Sequence, residues 1–129
     1  MTTGTRKAGE FCWINMLTPQ PARARAFYSG LFGWTPEVTP MPGSNYTTFK
    51  HGTTPVAGMM AITPQMGKRR SHWGSYFTVK DAGAAAREAV DLGARLCVAL
   101  RDIPGIGHFC GITSPQGVTF YVIQYQRTH

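Results

Sequence analysis

The sequence predicts an α+β fold in which one βαβββ unit is used twice. Three observations carry that expectation. First, the chain repeats itself. Trp13-Ile14-Asn15-Met16-Leu17-Thr18 leads into a helix-like stretch that closes on Leu31-Phe32-Gly33-Trp34. Trp73-Gly74-Ser75-Tyr76-Phe77-Thr78-Val79 leads into an Ala-rich stretch that closes on Leu92-Gly93-Ala94. Trp13 and Trp73 stand 60 positions apart, as do Gly33 and Gly93. A period of that length marks a duplicated supersecondary unit. Second, each half shows one strand pattern, one helix pattern and three further strand patterns. Third, 129 residues form one compact domain with a real core and no room for a second. The expected organisation is a single domain over 1–129: module one about 10–62, a connector over 63–71, and module two about 72–126. A paired unit of this kind builds a cavity between its halves, and the function is expected there.

Phe11 to Leu17 is rich in bulky apolar residues, which suits a first strand. Thr18-Pro19-Gln20-Pro21 stops it, and proline is tolerated in the first turn of a following helix. Ala24, Phe27, Tyr28 and Leu31 recur at helical spacing within Ala22 to Phe32. Gly33 suits a left-handed helix cap. Trp34 to Val38 reads as a short strand, Pro40 to Ser44 as a loop. Tyr46 to Lys50 and Val56 to Ile62 are strands separated by a turn at His51-Gly52. Thr63 to Ser71 is a polar connector. Trp73 to Val79 is a strand with Trp73, Ser75, Phe77 and Val79 on one face and Gly74, Tyr76 and Thr78 on the other. Asp81 caps a helix over Ala82 to Leu92. Ala85, Ala89 and Leu92 form its buried side. Arg95 to Leu100 is a strand, Asp102 to Gly107 a glycine-rich loop, and His108 to Thr113 a strand. Ser114-Pro115-Gln116-Gly117 is a strong turn signal before the last strand, Val118 to Tyr125.

The composition is that of a globular chain, 43% hydrophobic and 15% charged. No apolar run approaches the roughly 18 residues of a membrane span, so no membrane partner is expected. Met1 to Glu10 lacks the apolar core of a secretory signal. The net charge is +7, and its positive residues are not gathered in one stripe: Arg23 and Arg25 fall on the first helix, Arg87 on the second, and Lys68-Arg69-Arg70 in the connector. No nucleic-acid-binding motif accompanies it, so a solvated basic surface is the favoured reading and a nucleic-acid partner is disfavoured. The Lys68-Arg69-Arg70 patch keeps nucleic acid as a remote alternative. Cys12, Cys97 and Cys110 are odd in number and have no short paired spacing. That argues against a disulfide framework or a zinc site and fits a reducing cytoplasm.

These elements and motifs together resemble the vicinal oxygen chelate superfamily, which includes glyoxalase I, bleomycin-resistance proteins and extradiol dioxygenases. The resemblance covers roughly Glu10 to Gln124. Its most specific pieces are Ala26-Phe27-Tyr28 with Leu31-Phe32-Gly33-Trp34, and Ser114-Pro115-Gln116-Gly117, where relatives usually have Asp-Pro-x-Gly. Asp102-Ile103-Pro104-Gly105-Ile106-Gly107 is similar to a branch of small actinobacterial-type members. The resemblance implies βαβββ modules curled into cup-shaped half-barrels, completed in a homodimer. It also implies a divalent metal held by His, Glu or Gln on the first and last strand of each module. Here those positions fall at Trp13, within Gly58-Met59-Met60, at Gly74 and at Tyr121. None is a competent ligand. A one-residue slip offers only Asn15 or His72. No metal and no other cofactor is therefore expected.

Aromatic and thioether side chains take the place of the ligands. Trp13, Asn15, Trp34, Phe49, Met59, Met60, Trp73, Tyr76, Phe109 and Tyr121 are the candidate ligand-binding residues, a surface suited to a flat apolar molecule. The bland alternative is that these side chains fill the cup as core. His108 is the candidate general base or ligand hydrogen bond, since histidine titrates near neutral pH. A structural role is its competing reading. His51 is read as an exposed turn residue and His129 as a terminal one. Gly105-Ile106-Gly107 precedes a strand rather than a helix, which argues against a phosphate loop. No carboxylate pair faces the cup.

Two functions follow. The first, by resemblance to bleomycin-resistance proteins, is metal-free sequestration of a planar hydrophobic metabolite or antibiotic by a cytoplasmic homodimer. The second is an enzyme: a lyase, isomerase or dioxygenase-like member of the same superfamily, metal-dependent or acting in natural-product metabolism.

Overall fold

The computed structural model describes residues 7–41, 44–62, 70–103 and 105–126. Of the connector expected over 63–71, residues 63–69, with Lys68 and Arg69, lie outside these residues, as do Pro42-Gly43, Pro104 and His129. The element order is β1 (Phe11–Thr18), α1 (Pro21–Phe32), β2 (Thr35–Met41), β3 (Ser44–His51), β4 (Thr54–Ala61), β5 (His72–Thr78), α2 (Ala82–Asp91), β6 (Arg95–Ile103), β7 (Gly107–Thr113) and β8 (Thr119–Tyr125). The α+β class and the repeated β-α-β-β-β order are as the sequence predicts.

Two compact units result, one spanning Trp13–Trp73 and the other joining residues up to Cys12 with those from Gly74 onward. In the first, the strand order is β2-β3-β4-β1. The β2/β3 and β3/β4 pairs are antiparallel, and β4 meets β1 in parallel with Asn15 opposite Gly58. In the second, the order is β6-β7-β8-β5, again with two antiparallel pairs and a parallel one, Tyr76 opposite Tyr121. The two units therefore share one topology.

Several boundaries differ from the sequence reading. β2 continues through Pro40 to Met41, and β3 begins at Ser44. Pro36 and Pro40 lie in β2, which pairs only with β3 within its unit. An edge position tolerates residues that cannot donate to a ladder. β6 likewise runs on to Ile103, pairing Asp102 with His108 where a loop was expected.

The helices depart from the expected burial. Asp81 caps α2 as predicted, its Oδ1 accepting from the Ala84 N–H at 2.9 Å. The buried residues of α2 are Ala82 and Ala86, with Ala85 and Ala89 at the edge of the same cluster. Leu92, expected on that side, is 74% exposed because it sits at the C-cap, beyond the last helical turn. In α1 no residue is buried, and Phe27 and Leu31 are both 60% exposed. Only Ala24 and Tyr28 of the expected stripe reach the sheet, where they flank a core of Met16, Phe49, Ala57 and Met59. Gly33 closes α1 in the left-handed region at φ 70° and donates to the Ser29 carbonyl at 2.9 Å.

Candidate functional site

Strand alternation sends successive side chains to opposite faces. On β1, Ile14 and Met16 turn toward α1, and Trp13 and Asn15 turn away from it. On β4, Ala57 and Met59 face the helix, so Gly58 and Met60 lie on the opposite face. On that face the Trp13 indole Nε1–H donates to the Tyr46 hydroxyl at 3.0 Å, and the Tyr46 hydroxyl donates to Asn15 Oδ1 at 2.8 Å. All three residues are at most 4% exposed. Burial pushes the Tyr46 phenol well above its usual range, and the Trp13 N–H opposes this only partly. Tyr46 therefore stays protonated and remains a donor to Asn15. Gly58 lies directly beneath: a Cβ there would collide with the Tyr46 hydroxyl and Asn15 Oδ1.

The second unit repeats the theme with other residues. Tyr76 and Tyr121 stack with ring centroids 4.8 Å apart and planes at 13°, and Phe109 lies 5.9 Å from Tyr76. The Tyr121 ring covers two glycines. A Cβ at Gly74 would strike Tyr121 Cε1, and one at Gly111 would lie 2.9 Å from Cε2. In each unit a tyrosine thus occupies space that only glycine leaves open. Tyr46 and these glycine contacts carried no signal in the sequence beyond an aromatic near a glycine in strand patterns.

The predicted ligand-binding residues therefore separate. Trp13, Asn15 and Met60 share the face opposite α1 in the first unit. Tyr76, Phe109 and Tyr121 form the aromatic group of the second. Trp34, Phe49, Met59 and Trp73 belong instead to the core beneath α1. There Trp73 Nε1 donates to the Tyr28 hydroxyl at 3.3 Å, and Trp34 lies 5.4 Å from Phe49 between ring centroids. The cause is parity: one residue along a strand reverses the face. Eight of the ten are buried, and Trp34 and Trp73 are half-buried.

The positions at which the superfamily resemblance would place metal ligands are Trp13, the segment Gly58-Met59-Met60, Gly74 and Tyr121, and this donor set does not fit a divalent cation. Asn15 Oδ1 is already engaged by Tyr46, and His72 Nδ1 lies 2.8 Å from the Arg70 carbonyl. Among the described residues no group of three or more His, Cys, Asp or Glu side chains converges. Burial, with a smaller contribution from Cys97, pushes the Cys110 thiol up to about 11, so it is a core hydrophobe rather than a nucleophile.

His108 sits on β7 in the same alternation as Cys110 and Ile112, the helix-side residues of its unit, and is exposed. Its Nδ1 lies 3.0 Å from Asp102 Oδ1, with both side chains more than half exposed. Sequence reasoning missed this pair because it placed Asp102 in a loop. It also missed an open pocket beside α1, lined in part by Met16, Thr18, Arg23 and Tyr28.

A twofold βαβββ topology with these packed faces defines a vicinal oxygen chelate fold. The glyoxalase-like domain family matches residues 13–123, and the chain belongs to that family. It is 35% identical over 123 residues to the Mycobacterium tuberculosis protein named "Putative glyoxylase CFP32", covering 95% of this chain and 46% of that one. It is 32% identical over 116 residues to the anthracycline biosynthesis protein DnrV of Streptomyces peucetius, covering 90% of this chain and 42% of that one. The chain thus spans about half the length of the curated relatives it matches. Among solved structures, methylmalonyl-CoA epimerase from Mycobacterium tuberculosis superposes with a TM-score of 0.60 at 15% identity, covering 98% of this chain and 94% of that one. That likeness is one of fold.

Proposed function

We propose that this glyoxalase-like chain is a small-molecule-binding protein that works without metal chelation and holds a planar hydrophobic metabolite or antibiotic against aromatic side chains, as in sequestration or resistance of the bleomycin-resistance type. One observation carries the reading. Where the resemblance would place chelating residues stand Trp13, Gly58-Met59-Met60, Gly74 and Tyr121, and a tyrosine hydroxyl or ring fills the space above Gly58 and above Gly74. Indole and phenol stack on flat rings, each aromatic pair contributing ~0.5–1.5 kcal/mol beyond area burial. The anthracycline biosynthesis relative supports a flat natural product as the ligand class. Because Trp13, Tyr46, Tyr76 and Tyr121 are buried, a ligand must part packed side chains, so association is slow.

A homodimer is part of this proposal, following the superfamily resemblance. Three free cysteines support a reducing cytoplasm as its compartment. No helix among the described residues is long and apolar enough to cross a membrane.

The second reading is an enzyme of natural-product metabolism, favoured by the same relative's name. Titration with an anthraquinone, followed by tryptophan fluorescence, separates the two. Saturable binding is expected to survive chelator treatment and to weaken more than tenfold in Trp13→Ala, with the fold checked by circular dichroism. Undiminished affinity in a folded Trp13→Ala protein defeats the aromatic assignment. Stoichiometric Ni, Zn, Mn or Fe in purified protein, with turnover lost on chelation, establishes the enzyme instead.

A further inference from the structure

Where α1 crosses the end of β1, the first unit holds an open pocket of about 320 Å³. It lies on the helix side of the sheet, on the face that bears Met16, and includes none of the residues on which the proposed function rests. We propose that this pocket binds a small aromatic carboxylate.

Its lining combines two chemistries. Met16, Ala24, Phe27 and Tyr28 form an apolar wall. Phe27 is 60% exposed, and its ring meets Tyr28 edge-on with centroids 5.0 Å apart. A ring lying in the pocket covers Phe27 and completes an aromatic group already two-thirds built. The volume suits such a ligand, since a cavity of about 150 Å³ is enough for benzene alone. The remainder accommodates a short linker and a carboxylate.

The polar lining residues supply donors. Arg23 contacts Gln20 Oε1 only at 3.4 Å, and among the described residues no carboxylate pairs with it. A guanidinium so placed can take a carboxylate through two parallel N–H bonds. Thr18 Oγ1 and Ser71 Oγ lie 2.8 Å apart, and Thr18 Oγ1 also accepts from the Gln20 N–H at 3.1 Å. One hydroxyl hydrogen is spent between the pair, so the other remains to donate to a ligand oxygen. Two kinds of donor thus line the same pocket as the apolar wall, a combination suited to an amphipathic anion.

Trp73 is a built-in reporter. Its Nε1 donates to the Tyr28 hydroxyl, and the two ring centroids lie 5.1 Å apart. Phenylacetate is titrated into the whole chain, with tryptophan emission and backbone amide shifts followed together. Phenylacetamide serves as the uncharged counterpart. The expected result is saturable binding of phenylacetate with shifts centred on Thr18, Arg23 and Phe27, and about tenfold weaker binding of the amide. Arg23→Gln removes that preference, and Phe27→Ala weakens both compounds alike. An absence of saturation at about 20 mM, shifts centred elsewhere, or an unchanged preference in Arg23→Gln overturns the proposal. Failure of the anthraquinone titration has no bearing on this result, because the pocket shares no residue with the proposed aromatic site.

Discussion

Tyr46 shows how one buried hydroxyl organises a face. It accepts from Trp13, donates to Asn15 and rests where Gly58 lacks a side chain. Its phenol holds its proton more tightly in the folded protein than at a tyrosine's ordinary 10.0. The unfolded chain therefore loses this proton from about pH 10 upward while the folded chain keeps it, and deprotonation draws the equilibrium toward unfolding. Stability contributed by Tyr46 is complete below pH 10 and lost as pH rises above it. Urea unfolding between pH 9 and pH 11 is expected to fall more steeply for the natural protein than for Tyr46→Phe, by up to ~1.4 kcal/mol per pH unit. Equal slopes would show that Tyr46 does not titrate in this way. None of this was legible in the sequence, where Tyr46 is one bulky strand residue among several. A hydrogen-bonded partner 31 positions away leaves no local pattern.

At the scale of elements, capping and turn chemistry read well, and burial read poorly. Asp81 announced the start of α2, and its carboxylate caps the helix as expected. Replacing it with alanine leaves the Ala84 N–H without that acceptor and should cost about 1 kcal/mol. Thermal denaturation of Asp81→Ala checks this, and an unchanged midpoint would mean that water replaces the cap without loss. Gly33 was equally legible, because a left-handed residue after a helix favours glycine. The apolar spacing of α1 misled. Periodicity says which residues share a stripe, not how much of it the sheet covers, and only Ala24 and Tyr28 reach the core. The prolines of β2 misled in the opposite direction, since they mark an edge position as readily as a loop.

For the molecule as a whole, duplication was the legible fact: both units order their strands alike. The tryptophans that revealed it are nevertheless not equivalent. Trp13 bonds Tyr46 on the face opposite α1, whereas Trp73 bonds Tyr28 beneath it. The 60-residue repeat in sequence thus does not preserve the face, and that change of parity divides the expected ligand surface. Charge also acts at this scale. The chain carries +7, and the ion pairs among the described residues are Lys50–Glu37 and Asp102–His108. Self-repulsion should therefore be relieved by salt. Raising it from about 10 mM to about 150 mM shortens the screening length from roughly 30 Å to roughly 8 Å. The melting temperature is expected to rise by about 3 °C, and a flat or falling response would assign stability to attractive pairs instead. The glycines under Tyr46 and Tyr121 carry a further implication, for descent. An imidazole introduced at residue 58 or 74 meets an aromatic neighbour before it can meet a cation. A longer side chain at either position therefore needs a second, coordinated replacement of the tyrosine above it. Selection acting on single substitutions would therefore leave both glycines in place.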